Sequence, residues 1–194
     1  MAQLARIGRE GGGARAFVNV KVSTNQRRDT FPARIAFDST GRLRVDVLTP
    51  FGTAAYSIFA DGHEATLVDR LHSTYWKGQS RALGALVPLF AARIESGEIA
   101  RLLAGLPAGD EKDTRYHYET GAQGLAKVIV RESDTSLIIR YVPASFPPEK
   151  ILVESGEGEL PFELEIRYLE LTRWSGRLTE PDLRGLRCCF LPGS

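Results

Sequence analysis

The residues able to make or break bonds are few and scattered along this chain. His63, His72 and His117 lack the spacing of metal ligands, and no HExxH occurs. No GxSxG elbow, phosphate loop or GxGxxG is present, and Gly11-Gly12-Gly13 lacks the preceding strand and following helix such loops need. Glu163 and Glu165 alternate with Leu164 and read as the solvent face of a strand, not as an acid–base pair. The vicinal Cys188 and Cys189 could hold a soft metal or be oxidised, but adjacent cysteines do not easily bridge each other and cannot staple a fold from one tail. The chain reads as a binding protein without a cofactor, not as an enzyme.

The informative chemistry is apolar. Residues 42–48 alternate Arg42, Leu43, Arg44, Val45, Asp46, Val47, the period-two signature of a half-buried strand. A second β-prone run covers 53–60 and ends at Asp61-Gly62. Between them Pro50 suits position i+1 of a type I turn and Gly52 suits i+3, which leaves Phe51 at the tip. A large aromatic there either tucks back onto its own core or is a probe for something apolar.

The elements that position this tip follow from periodicity. Ala2 to Arg9 reads as a short helix. Strand patterns then cover about 15–23, 30–38, 42–49, 53–60, 64–69 and 72–77, separated by turn signals, as in an antiparallel meander. From Ser80 the period changes to 3.6, with Leu83, Leu86, Val87, Phe90 and Ile94 on one face and Pro88 as a kink. A second stripe, Ile99, Leu102, Leu103 and Leu106, stops at Leu106-Pro107-Ala108-Gly109. Strands resume at about 115–120, 124–132, 135–142, 150–156 and 161–174. In the last, the apolar phase runs Phe162, Leu164, Ile166, Tyr168 and then slips by one to Leu169, Leu171, which predicts a β-bulge. The expected fold is mainly β: about eleven antiparallel strands as a curled, half-open β-barrel, with a helical lid inserted over about 80–106. One domain is expected over 1–174, followed by a tail over 175–194.

Composition sets outer bounds. The 194 residues suffice for a proper core, and 43% hydrophobic with 25% charged residues is ordinary for a globular protein. A net charge of +1 gives no reason to expect nucleic acid as a partner. Charge is uneven, with nine Lys/Arg against four Asp/Glu in residues 1–50 and two against seven in 149–170. The uncharged runs 47–60 and 82–92 fall short of the roughly 18–20 apolar residues of a membrane span. No charged-then-apolar leader is read at the N-terminus, so an export signal is expected to lie outside this chain.

Three ordered patterns resemble the LolB-type outer-membrane lipoprotein receptors, within the LolA/LolB-like lipoprotein-localisation superfamily. They are the strand 42–48 running into Thr49-Pro50-Phe51-Gly52-Thr53, Asp61-Gly62 followed by Ala65 to Asp69 and Tyr75-Trp76-Lys77-Gly78, and the helix 99–103 running into Ala104-Gly105-Leu106-Pro107. Trp174, closing the final strand, is similar as well, so the resemblance spans roughly 15–174. It implies a half-open barrel under a helical lid, with a cavity for the acyl chains of lipoproteins or lipid. It also implies a protruding apolar turn at Pro50, Phe51 and Gly52, delivery by a periplasmic LolA-like carrier, and work at the periplasmic face of the bacterial outer membrane. The lipid-anchored cysteine of the family has no counterpart among these residues, and 175–194 lie outside the resemblance.

Two functions follow from different classes. In the first, the chain is a lipid or lipoprotein acceptor whose cavity is lined by Val18, Val20, Val22, Ile35, Phe37, Leu43, Val45 and Val47, with Leu86, Phe90, Leu102 and Leu103 from the lid. In the second, it is an interaction module of the envelope with no transported cargo, docking through Leu178, Leu183, Leu186, Phe190 and Leu191. Pro88 and Gly97 divide the insert into pieces that could shift separately, so faster hydrogen exchange is expected across 80–106 than across 42–60.

Overall fold

The computed structural model describes residues 13–80, 83, 94–109, 113–122, 124–132, 135–142, 148–155 and 162–189. The helix expected over 2–9, the kink at Pro88, the lid residues Leu86 and Phe90, and Phe190 and Leu191 of the tail lie outside them. Six strands come first: β1 (Gly13–Thr24), β2 (Arg28–Phe37), β3 (Leu43–Leu48), β4 (Ala54–Asp61), β5 (Glu64–Asp69) and β6 (Thr74–Gln79). Among the described residues one short helix, α1 (Ser96–Leu103), precedes β7 (Tyr116–Gly121), β8 (Gly124–Glu132), β9 (Thr135–Val142), β10 (Lys150–Ser155) and β11 (Phe162–Trp174). A two-residue β12 (Arg187–Cys188) follows.

All twelve strands join one sheet in the order β12-β6-β5-β4-β3-β2-β1-β11-β10-β9-β8-β7. Each half is a meander of neighbouring antiparallel strands, and the seam between the halves is β1 against β11, with Gly13 opposite Trp174 and Thr24 opposite Phe162. The predicted phase slip is there: Phe17 pairs with Glu170 and Val18 with Tyr168, so Leu169 is the extra residue of a bulge and is exposed.

Two expectations are corrected. Among the described residues the strands number twelve instead of about eleven, because β12 pairs with β6 in parallel through two residues, too short a stretch for any periodicity to show. The sheet is also open and not a half-open barrel. Its margins, β7 and β12, do not pair with each other. Closure would require β6 beside β7, but β12 occupies the edge of β6 and the β6–β7 connection carries α1 onto one face of the sheet. That face is the inner one.

Helix α1 is held at both ends. The Ser96 side chain donates to the Gly41 carbonyl (2.9 Å) and accepts from the Gly62 N–H (2.8 Å), tying the first turn to the β2–β3 and β4–β5 turns. Glu98 caps the Glu95 N–H at 2.9 Å. At the other end Gly105, with φ of 67°, lets its N–H reach the Leu102 carbonyl and the Leu106 N–H reach that of Arg101, a Schellman stop. The Tyr141 hydroxyl on β9 donates to the Leu102 carbonyl (2.9 Å) and the Tyr168 hydroxyl on β11 to that of Leu103 (2.6 Å). Tyr168 thus satisfies a carbonyl that a helix end otherwise leaves unpaired, and Tyr141 adds a second donor to Leu102. Burial pushes both phenols far up, Tyr141 further helped by Tyr168 and Tyr118, so both remain proton donors at any ordinary pH.

The outer face of the first meander is buried too, at Ser57, Phe59, Thr66 and Val68. Beyond Trp174 the chain turns back over it. Buried Leu178 donates its N–H to Asp38 (2.9 Å) and accepts from Arg42 (3.1 Å), Glu180 pairs with Lys77 of β6 at 2.6 Å, and β12 then caps the sheet margin.

Candidate functional site

The β3–β4 hairpin forms the predicted tip. The Gly52 N–H donates to the Thr49 carbonyl (2.9 Å), the i to i+3 bond of a turn with Pro50 and Phe51 at its centre. Thr49 N–H donates to the Thr53 carbonyl at 2.8 Å, and the two threonine hydroxyls lie 2.8 Å apart. Gly52 has φ of 79°, a conformation most residues with a side chain avoid. The outcome is that Phe51 stands 93% exposed. It does not tuck back.

A second apolar prong, which periodicity does not reveal, stands beside it. In a meander alternate turns emerge at the same end, so the β5–β6 turn shares the end of the β3–β4 turn, and the Arg70 N–H donates to the Ala55 carbonyl of β4 at 2.9 Å. There Asp69 accepts from the N–H groups of Leu71 (2.9 Å) and His72 (3.1 Å) and pairs with the His72 ring at 2.6 Å. Partial burial raises the Asp69 carboxyl, but the hydrogen bonds and charge of His72, with the Leu71 N–H, outweigh it and hold it below its usual range. This turn leaves Leu71 60% exposed. The available signal was a leucine between Arg70 and His72 in a run of turn residues.

The inner face has the predicted register. Ile35 opposes Val45, Phe37 opposes Leu43, Ala33 opposes Val47 and Val18, and Val20 opposes Phe31. Direct antiparallel partners share a face. Val18, Val20, Ile35 and Leu43 are buried, as are Leu102 and Leu103 of α1, in one core; Val22, Phe37 and Val45 pack against it half-buried. Val47 is half-buried.

Burial falls toward the tips. Along β1 it loosens from Val18 to Val22, along β2 from Ala33 to Phe31, along β3 from Leu43 to Val47 and along β11 from Leu164 to Phe162. At the α1 end the packing is tight: the void between Ala14, Ala16, Ile35, Phe37, Leu103 and Tyr168 is about 10 Å³, too small for a ligand. The apolar side chains at this end, half-buried Val22, Phe31, Val47 and Phe162, lie beneath exposed Phe51 and Leu71; Leu169 and Val142 are exposed away from it.

Polar candidates stay apart. His63 pairs with Glu95 (3.0 Å), His117 is exposed on β7, Cys188 is exposed, and Cys189 is half-buried. Among the described residues no group of His, Cys, Asp or Glu could hold a metal ion, and no helix is long and apolar enough to cross a membrane.

No family model matches the chain, and no curated protein matches it. Solved structures do. A LolA superfamily protein from Nitrosomonas europaea has a TM-score of 0.51 at 11% identity, over 87% of this chain and 88% of that one. A domain named as an outer membrane lipoprotein-sorting protein, from Vibrio parahaemolyticus, has a TM-score of 0.49 at 11% identity, over 94% and 95%. An uncharacterized conserved protein from Thermus thermophilus has a TM-score of 0.47 at 14% identity, over 96% and 95%. At such identities the likeness is one of fold, and the Nitrosomonas protein carries it: this chain has a fold like that of the Nitrosomonas protein.

Proposed function

We propose that this protein binds the acyl chains of lipids or lipoproteins against its inner face and presents them to a membrane at the hairpin-tip end. The observation that carries the reading is directional. Core burial loosens along four strands toward the end at which Phe51 stands 93% exposed. An apolar surface opening beside an apolar probe suits a chain that must move from protein to bilayer, and no bond-making step is needed. Leu71 widens the contact. The likeness in fold to a LolA superfamily protein supports an envelope setting; more finely, we place the protein at the periplasmic face of the outer membrane, taking cargo from a LolA-like carrier. The tail speaks for this reading over a docking module, because Leu178 is buried against the chain's own Asp38 and Arg42.

Burying acyl chain contributes about 0.8 kcal/mol per methylene, so one long chain supplies on the order of 10 kcal/mol. A carrier must leave part of that unused for cargo to depart. The test is titration of the folded protein with a fluorescent fatty acid, together with mass spectrometry of lipid that co-purifies. Saturable binding displaced by unlabelled fatty acid is expected; a folded protein that binds no probe and carries no lipid would sink the reading.

A further inference from the structure

We infer a second binding site on the outer face, for a small soluble anion bearing two or more negative charges. A cleft of about 570 Å³ lies between β1, β2, β3 and β11 and the returning tail, a volume in the range of small-molecule sites. Its centre is Ala36. Arg15 on β1 and Arg44 on β3 are the direct cross-strand partners of Ala36, with Cβ atoms about 5 Å away on either side. Arg34 sits two residues along β2 on the same face. Three arginines thus share this face around the small side chain of Ala36.

Such clustering of like charge is unfavourable in a sheet, and the fold engages only two of the three arginines. The Arg44 Nε donates to both oxygens of Asp46 at 3.1 Å. Arg15 lies over the Trp174 ring, 4.1 Å from its centroid. Arg34 is exposed and has no hydrogen bond or ion pair with any described residue. Glu170, opposite Phe17, is the remaining carboxylate of the lining, so the cleft keeps a net positive charge. Its wall is fixed, since Leu178 is clamped by Asp38 and Arg42. The planar donor fork of arginine matches phosphate and carboxylate oxygens in pairs. Ala36 and Arg44 lie beside the β2–β3 turn, at the opposite end from Phe51, so a soluble anion fits this place better than the headgroup of a membrane touched by the tips. The site stands whether or not the inner face carries lipid.

Calorimetric titration of the full chain with pyrophosphate and with citrate, at fixed ionic strength, tests it. One saturable site is expected for at least one of them, with a change in tryptophan emission from Trp174. Pyrophosphate alone selects phosphate chemistry and citrate alone polycarboxylate chemistry, and either supports the site. Arg34→Ala should weaken binding about tenfold, Ala36→Leu should abolish it by filling the cleft with all three charges kept, and Arg27→Ala, outside the cleft, should leave it unchanged. Melting curves check folding, and the variant at exposed Arg34 decides the matter if Ala36→Leu proves unstable. No saturable binding of either anion, or equal weakening by Arg27→Ala and Arg34→Ala, overturns the proposal.

Discussion

Phe51 is kept in water by its two neighbours, Pro50 and the left-handed Gly52, and not by anything it touches. Full burial of a phenylalanine is worth about 1.5–3 kcal/mol, too little to anchor a protein yet enough to bias docking. Because the exposed ring adds nothing to the core, Phe51→Ala and Phe51→Glu should each leave stability within about 0.5 kcal/mol. Both should weaken liposome flotation, the Glu variant more, and Leu71→Glu should act in the same direction. A loss of several kcal/mol with unchanged flotation would make Phe51 a core residue. Asp38 is the opposite case, 4% exposed and fully used. Its carboxylate accepts from the Thr40 hydroxyl (2.6 Å) and from the N–H groups of Thr40, Arg42 and Leu178. Burial pushes this carboxyl up, and those hydrogen bonds more than reverse it, so it lies below the ordinary 3.8. A depressed carboxyl stabilises the fold above its unfolded value, and that contribution disappears as pH falls through the folded one. Acid melts should therefore show wild type losing its advantage over Asp38→Ala below about pH 4, with the variant about 2–3 kcal/mol less stable at neutral pH. In sequence Asp38 only ends the strand pattern over 30–38, because its partner Leu178 returns from the far end of the chain.

Helix α1 is short for an independent helix, and its persistence rests on its ends. Ser96 ties it to two turns, and Tyr141 and Tyr168 hold its last carbonyls. A loose lid would lack such attachments. Hydrogen exchange at residues 99–103 should accordingly be about as slow as in β3 and β4, and the double variant Tyr141→Phe, Tyr168→Phe should speed it about tenfold while leaving the strands unchanged. Much faster exchange in wild-type α1 than in β4 would restore a moving lid. Strands such as β1 and β11 were legible because one face is buried, which imposes alternation, while β4 and β5, buried on both faces, stand out as β-prone runs between turns; even the Leu169 bulge left a phase slip behind. Leu71 was not, because a single leucine in a turn has no period to belong to. Neither was β12, whose two residues pair only through tertiary proximity.

At the scale of the molecule, the sheet separates its two surfaces by residue parity. Even positions of β1 and odd positions of β2 and β3 face α1, and their alternates face the tail and the arginine cleft. Sequence alternation assigns that parity correctly. It does not distinguish an open sheet from a closing one, since both need the same alternation and differ only in what occupies the edge strands. Here β12 occupies one edge with two residues, blunting a margin that would otherwise invite pairing with another chain.

The seam between β1 and β11 has a consequence in time. Within each half, every strand meets its neighbour in sequence as soon as both exist. The seam joins residues near opposite ends of the chain, and the clamp on Leu178 and the pairing of β12 with β6 follow it. During folding the first six strands can zip together while β1 waits with one edge bare, until β11 is in place. Contacts so distant in sequence are slow to form, and a bare apolar edge is an invitation to aggregate. The most vulnerable stage of folding is therefore the one before the last strands arrive, when β1 awaits β11 and β6 awaits β12.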